Sequence, residues 1–382
     1  MRKVRENVLN FIKREMVLSI AVILAVVSLF LVPPDKKYME YIDISTLAIL
    51  FCLMAIIAGI KETGAFDTLA KSMICKVKNI RQMTIVLVLL CFFFSMVITN
   101  DVALITFVPF TLVILQNQTK EIRKRWIVPI VVLQTVAANM GSMLTPIGNP
   151  QNLYLYGKAG ISCFTFVMIM LPYTIVAFAC IVLFIFGISR KKNEKLVAAQ
   201  SEKGKISDYR KLVLYLILWI PTLLTVAKIL DDKILFVIVL VTVIFFDRKI
   251  LTKVDYSLLL TFAAFFIFIG NMGRFPAFCS FLSFIIEGRE VMTAVFASQF
   301  ISNVPAALLL SGFTGDYQSL MIGTNIGGLG TLIASMASLI SYKLVTRENP
   351  EIRGNYMREF TIMNVLFLGA MLFCNIIMTN VF

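Results

Sequence analysis

The feature that most constrains this chain is a recurrence of apolar runs, from end to end, each long enough or nearly long enough to cross a bilayer. A membrane-crossing helix needs ~20 mostly apolar residues, because the hydrocarbon is ~30 Å thick and a helix rises ~1.5 Å per residue. Such runs lie near 16–32, 41–60, 126–156, 161–188, 212–230, 233–247, 257–275, 318–343 and 360–381. Two further apolar stretches, 82–115 and 291–313, have a different character. Hydrophobic residues make up 59% of the 382 and charged residues 15%, against about 45–50% and about 25% in soluble domains. No water-soluble core could hide that much apolar surface. The sequence therefore predicts an all-α integral membrane protein of about ten or eleven transmembrane segments, multi-pass in the cell membrane.

The net charge of +14 does not point to nucleic acid. The lysines and arginines sit in short segments between apolar runs, as in cytoplasmic loops, and no soluble basic face is present to hold phosphates. With the N-terminus inside, segments 1–15, 61–81, 116–126, 189–212, 247–254 and 343–358 carry 29 Lys/Arg. The outer segments carry five: Lys36, Lys37, Lys158, Lys233 and Arg289. This bias predicts a cytoplasmic N-terminus, provided that 82–115 starts and ends inside and 291–313 starts and ends outside. Lys228 and Arg274, near helix ends, are expected at the interface, where long cationic side chains reach water.

Several function classes drop out. There is no histidine, which removes His-based metal centres and proton relays. The seven cysteines form no CxxC pair and read as small buried side chains. No GxSxG, HExxH or P-loop motif occurs, so an enzyme is not expected. The run 16–32 is followed by Val32-Pro33-Pro34-Asp35 in place of a cleavage site, and is read as the first membrane helix. Residues 64–78 are predicted to form an amphipathic connecting helix, with Phe66, Leu69 and Met73 on one face and Asp67, Lys71 and Lys78 on the other. The polar stretch 189–211 is predicted to be a flexible cytoplasmic linker.

The chain also repeats itself. Residues 139–156, NMGSMLTPIGNPQNLYLY, and 325–342, NIGGLGTLIASMASLISY, share six of eighteen positions without a gap. The shared positions are Asn139/Asn325, Gly141/Gly327, Thr145/Thr331, Ile147/Ile333, Leu153/Leu339 and Tyr156/Tyr342. Upstream, Thr99-Asn100-Asp101-Val102-Ala103 resembles Ser302-Asn303-Val304-Pro305-Ala306. Both copies run in the same order, an apolar arm, a hydroxyl-Asn tip, an apolar arm and then the Asn-x-Gly segment. The charge-derived topology makes them inverted, an architecture that belongs to secondary transporters with a site near the bilayer midplane. The units are then an N-terminal membrane helix (1–40), a first repeat (41–188) with hairpin 82–115 and broken helix 126–156, the linker (189–211), and a second repeat (212–382) with hairpin 291–313 and broken helix 318–343.

In the second hairpin the arms 291–302 and 306–313 are too short to span, so Ser302, Asn303 and Pro305 mark a re-entrant tip. The arms of the first, near 83–98 and 102–115, admit two short full spans with an external turn. The repeat and the acidic Asp101 favour a re-entrant hairpin. Pro146, Gly148 and Pro150 in Thr145-Pro146-Ile147-Gly148-Asn149-Pro150 break the first long helix, and Gly327-Gly328-Leu329-Gly330-Thr331 breaks the second. Freed backbone groups at membrane depth are tolerated only where they line a cavity or bind something. A carboxylate inside a membrane is costly and marks a functional site by default, so Asp101 is a candidate to coordinate a cation or carry a proton.

At these residues the chain resembles the ion transporter superfamily, which includes divalent anion:sodium symporters, citrate-transporter-like permeases and arsenite or sodium–proton antiporter permeases. The resemblance spans about 41 to 381. It is carried by TNDVALITFVPF (99–110), GSMLTPIGNPQNLYLY (141–156) and SNVPAALLL (302–310). It implies a homodimer with a scaffold and a mobile transport domain moving by an elevator mechanism, and Na⁺ as coupling ion with no other cofactor. One cation would sit among Ser95, Thr99, Asn100 and the Gly148 carbonyl, and a second among Ser298, Ser302, Asn303 and the Ala334 carbonyl, all hard oxygen ligands. The substrate would meet Asn100, Asp101, Thr145 and Asn149 of the first repeat and Asn303, Val304, Pro305 and Thr331 of the second. Dicarboxylate members carry Ser-Asn-Thr at both tips. Here the threonine positions hold Asp101 and Val304, and an ionised Asp101 would repel a polycarboxylate by several kcal/mol at low dielectric. The expectation is a small anion or oxyanion, of citrate/dicarboxylate or arsenite type, moved with Na⁺ or H⁺. The alternatives are a Na⁺/H⁺ antiporter of the same superfamily and a channel.

Overall fold

The computed structural model describes residues 15–75, 77–189, 194, 196 and 205–381. The basic segment 1–14 and most of the linker lie outside them. Among the described residues the chain is helical and has no β-strand. The protein is an all-α membrane protein.

The helices are α1 (Met16–Leu31), the short α2 (Tyr38–Tyr41), α3 (Ile44–Glu62) and α4 (Ala65–Ile74). The first hairpin is α5 (Ile80–Ile98) and α6 (Asn100–Gln116), and the first broken helix is α7 (Lys120–Ser142) and α8 (Pro150–Ala159). Then come α9 (Cys163–Ser189), α10 (Tyr209–Val226), α11 (Asp232–Phe246), α12 (Tyr256–Met272) and α13 (Pro276–Ile286). The second hairpin is α14 (Glu290–Ile301) and α15 (Asn303–Ser311), the second broken helix is α16 (Tyr317–Ile326) and α17 (Met336–Glu348), and α18 (Arg353–Val381) ends the chain.

Each expected span and hairpin coincides with a helix or helix pair. Five helices are long and apolar enough to cross unaided: Ile44–Glu62, Ile80–Ile98, Cys163–Gly187, Tyr209–Val226 and Pro350–Asn380. The others are short or broken, which is what hairpins and interrupted helices require. Large apolar side chains such as Phe30, Leu183, Ile217, Phe245 and Phe373 are exposed, and only lipid makes such a surface favourable.

Helix starts away from the tips are built by local chemistry. Asp43, Asn79, Thr119, Asp208, Asp231, Asp255 and Asp316 each cap a first turn by accepting a backbone N–H, satisfying donors that a helix leaves unpaired. The four helices that begin at the tips and breaks, α6, α8, α15 and α17, have no such cap from the preceding residue, and neither do α1, α2, α4, α13 and α14 elsewhere in the chain. At the tips and breaks the first-turn donors are left for other partners.

Three details differ from the sequence reading. Residues Pro276–Ile286, which hydropathy leaves without an element, form a helix turned 105° from α12. Pro276 suits a helix start, but the apolar run is too short to register as a span. The connecting helix α4 buries Phe66, Ala70 and Ile74, whereas Leu69 and Met73 are exposed; the buried stripe is rotated from the expected face, and the exposed apolar pair suits a membrane surface. The linker is not wholly free. Leu196 N–H bonds the Lys78 carbonyl (3.1 Å) and Ile80 N–H the Glu194 carbonyl (3.1 Å), while Arg125 meets the Glu194 carboxylate at 2.6 Å. Of the two stray cations, Arg274 pairs with Asp35 (2.7 Å) and Tyr41 (3.1 Å). Lys228 donates to the Ile161 carbonyl (2.8 Å) and lies 4.8 Å from the Tyr156 ring centroid.

Candidate functional site

The two hairpins reverse through matched residues in a matched conformation. Thr99 has φ 72°, ψ 151° and Ser302 has φ 73°, ψ 155°. This region is hostile to any residue with a Cβ and costs of order 1–3 kcal/mol. The reversal lets the next residue's N–H point at the opposing break: Asn100 N–H bonds the Gly148 carbonyl (3.3 Å) and Asn303 N–H the Ala334 carbonyl (2.9 Å). Both asparagines are buried.

The match continues. Thr145 Oγ1 donates to the Met96 carbonyl, and Thr331 Oγ1 donates to the Gln299 carbonyl (3.0 Å). Gly141 lies against Phe92 and Ser95, and Gly327 against Ser298; a Cβ on Gly141 would fall 2.0 Å from the Phe92 carbonyl oxygen, and one on Gly327 would fall 2.7 Å from Ser298 Oγ. Glycine at both positions is what allows hairpin and broken helix to touch backbone to side chain. These are the repeat identities read from the sequence, now seen as paired contacts.

Asn139 joins the two halves. Its Oδ1 accepts from Asn100 Nδ2 (3.0 Å) and Ser335 Oγ (3.0 Å), and its Nδ2 donates to the Gly328 carbonyl (3.4 Å). On the other side of Gly328 lies Asn303, whose Nδ2 would be 3.1 Å from a Cβ there. The two tips and the two breaks thus converge, with unwound backbone between them. A second bridge runs from Asn325 Nδ2 to Asn152 Oδ1 (2.6 Å). Sequence reasoning named neither bridge as a site. The signal was present, since Asn139 and Asn325 are themselves repeat identities.

Of the oxygen groups singled out for cations, all but the half-buried Thr99 are buried at these contacts. Ser95 Oγ donates to the Phe92 carbonyl (2.8 Å) and Ser298 Oγ to the Ala294 carbonyl (2.7 Å). Ser302 Oγ is 3.4 Å from the Ala334 carbonyl oxygen and 3.5 Å from Asn303 Oδ1. Carbonyls of Gly148 and Ala334, hydroxyls and amides are the ligand types a hard cation takes.

Two cavities flank the tips. One, of about 370 Å³, is lined by Thr99, Asp101, Ile147 and Asn149 on the tip side and by Leu50, Leu53 and Ile57 of α3 on the other. Lys61, Glu62, Lys253 and Asp255 also line it, with Lys253 and Glu62 paired at 3.3 Å. The second, of about 110 Å³, is lined by Ser302, Val304 and Pro305. Asp255, Leu258, Met336 and Ile340 border both. Asp101 Oδ1 is buried and has no hydrogen-bond partner. A carboxylate oxygen facing a cavity unpaired is a ready acceptor for a cation or a proton. Thr145 and Thr331 are engaged with the hairpin arms, so their hydroxyls brace the breaks. Asn149, whose Nδ2 donates to Ser142 Oγ (2.6 Å), also lines the first cavity.

Paired hairpins and broken helices meeting at a polar centre define a membrane transporter. The comparisons place it more closely: residues 8–314 match the citrate transporter family model, and the chain belongs to that family. An uncharacterised transporter of Methanocaldococcus jannaschii is 33% identical over 335 residues, 86% of this chain and 88% of the relative. The inner membrane protein YbiR of Escherichia coli is 30% identical over 321 residues, 82% and 84%. A silicon efflux transporter of Oryza sativa is 28% identical over 138 residues, 36% of this chain and 27% of its own length.

Proposed function

We propose that the protein is a secondary transporter for a small oxyanion or its weak acid, moved with Na⁺ or H⁺ between the two hairpin tips. The carrying observation is the convergence of the two tips on the second break, Asn100 through Asn139 and Asn303 directly against Gly328, beside a cavity into which Asp101 offers an unpaired carboxylate oxygen. The N-termini of α8 and α17, which no side chain caps, favour an anion, because helix dipoles present positive ends there; the first donors of α6 and α15 are spent on Gly148, Asn100 and Ala334 oxygens. Asp101 favours a cation or proton travelling with it, and opposes a polycarboxylate travelling alone.

In this reading Asn100, Asn303, Asn149 and the backbone around Val304, Pro305, Thr145 and Thr331 hold the solute. Ser95, Thr99 and the Gly148 carbonyl hold one cation, and Ser298, Ser302 and the Ala334 carbonyl a second. Hairpins and broken helices form the moving unit, sliding past α3 in an elevator motion within a homodimer. The surplus of Lys and Arg in the segments from 61–81 to 343–358 sets those loops and the N-terminus in the cytoplasm. The repeats are then inverted, and the 370 Å³ cavity, with Lys61 and Lys253 among its walls, opens inward. The partial likeness to a silicon efflux transporter adds weight to a weak oxyacid over citrate.

The test is transport in proteoliposomes, with arsenite, silicate, citrate and succinate under separately imposed Na⁺ and pH gradients. Flux of one solute that follows one of the two gradients is expected. Asp101→Asn should cut gradient-driven flux by at least about tenfold while leaving solute exchange measurable. Fluxes indifferent to both gradients would refute the coupling. Proton release on Na⁺ addition with no solute flux would instead establish a Na⁺/H⁺ antiporter, the reading that Asp101 alone would support.

A further inference from the structure

The largest of the cavities described here, about 550 Å³, does not touch the tips. It lies between the connecting helix α4 and the return arm α6 of the first hairpin, and Lys61, Asp67 and Lys71 line it together with Thr106, Phe110 and Val113. Three observations say what it is built to hold.

The first is an unpaired polar end. Thr106 is 4% exposed, and its Oγ1 has no hydrogen-bond partner. One residue earlier, the Ile105 carbonyl also lacks its usual donor, because Pro109 stands four residues on inside α6 and has no N–H. Both Ile105 and Pro109 line the cavity. A buried hydroxyl left unsatisfied costs about 1–3 kcal/mol, and the Ile105 carbonyl beside it is a free acceptor, so this wall suits a partner with hydroxyl groups.

The second is charge. Neither Lys61 nor Lys71 forms an ion pair with a described carboxylate. With Asp67 they leave one net positive charge, the complement of a single phosphodiester.

The third is place. Apart from Asn117, the rest of the wall is apolar, with Phe110 and Val113 in it, and Val113 is more than half exposed. The amphipathic α4 turns Leu69 and Met73 outward, as a helix lying in a membrane surface does. The crevice therefore opens where headgroup meets acyl chain.

We propose that this crevice is a binding site for one anionic phospholipid with a hydroxylated headgroup, of the phosphatidylglycerol type. Its phosphate sits between Lys61 and Lys71, its headgroup hydroxyls bond Thr106 Oγ1 and the Ile105 carbonyl, and an acyl chain runs along Phe110 and Val113. The lipid ties the connecting helix to the first hairpin, and it does so beside the solute cavity, since Lys61 and Ile105 line both.

The protein is purified in detergent, stripped of lipid and titrated with phosphatidylglycerol, phosphatidylcholine or inorganic phosphate, with bound lipid counted by native mass spectrometry and unfolding followed thermally. Wild type is expected to retain phosphatidylglycerol at least about tenfold better than phosphatidylcholine and to melt several degrees higher with it. Lys71→Gln combined with the near-isosteric Thr106→Val should bring the two lipids within about twofold; Lys71→Gln alone serves if the pair folds poorly. Equal retention of the two lipids by wild type overturns the proposal, as does an undiminished preference in the variants. Stabilisation by inorganic phosphate equal to that by phosphatidylglycerol would mark a free-phosphate site and overturn the lipid assignment.

Discussion

The two repeats solve one problem with different residues. Each must hold a helix open at membrane depth and keep its freed backbone groups satisfied. In the first repeat the break is made by Pro146 and Pro150 and braced from within. Asn152 Nδ2 donates to the carbonyls of Ser142 and Thr145 (both 3.2 Å), and Asn149 holds Ser142 Oγ. In the second the break is made by glycines, with Gly330 at φ 102°, and braced from outside. Gln299 of the hairpin arm donates to the carbonyls of Gly327 (3.1 Å) and Leu329 (3.0 Å) and accepts from Thr331 N–H (2.8 Å). The residue matching Gln299 in the first repeat is Met96, which can do none of this. The residues matching Asn149 and Asn152 are Ser335 and Ser338, and Ser338 Oγ has no partner. The tips differ as well, Asp101 against Val304. A fold repeat thus conserves where backbone must be freed, while the bracing and the charge can sit in one copy alone.

Substitutions can break or sharpen this comparison. The largest effect is expected at the shared close approach. Gly141→Ala puts a Cβ 2.0 Å from a backbone oxygen, which cannot swing aside, so a loss of at least about 3 kcal/mol and little folded protein are expected. Gly327→Ala meets Ser298 Oγ at 2.7 Å, which can rotate, but also Ser298 Cβ at 2.8 Å and the Gly323 carbonyl oxygen at 2.9 Å; these approaches are longer than 2.0 Å, so the cost should be smaller, about 2 kcal/mol. Yield of monodisperse protein and thermal midpoint in detergent compare the two; equal losses would mean the interfaces are equally rigid.

A smaller effect tests the bracing. Gln299→Leu strands two carbonyls and one N–H and should cost about 2–3 kcal/mol, whereas Met96→Leu conserves volume and polarity and should cost under about 1 kcal/mol. Similar melting shifts for both would show that the second break holds itself open without its glutamine. The smallest effect is expected at the tip that lacks charge. Val304→Thr restores a hydroxyl beside Ser302, at a position next to the small cavity, and should change the thermal midpoint by no more than about a degree, with Na⁺ and pH dependence unaltered. A change in gradient dependence as large as that of Asp101→Asn would move the coupling group away from the first tip.

Much of the site was legible because its requirements are local. Prolines and glycines inside an apolar run have few roles other than interrupting a helix, and a gapless Asn-x-Gly…Thr match repeats only if both copies must touch a hairpin. The tips were legible as hydroxyl-Asn pairs. Gln299 was not, because its work depends on the two-fold match failing at that position, and neither its neighbours nor its spacing marks it. The wall that α3 gives the cavity was also hidden. Leu50, Leu53 and Ile57 read as ordinary span residues, and only packing brings them opposite Asp101.

The sequence by itself determined that the chain crosses the membrane many times, where its helices break, and that two copies of one unit are present. These follow from hydropathy, from missing backbone donors and from spacing, all of which are properties of short stretches. The tertiary structure alone decided which groups at the centre are spent and which remain open. Asn139 is committed to both halves, Thr145 and Thr331 to the arms, and Asp101 Oδ1 to nothing. Hydrogen-bond satisfaction is a property of neighbours brought together from distant parts of the chain, and no local reading can count it.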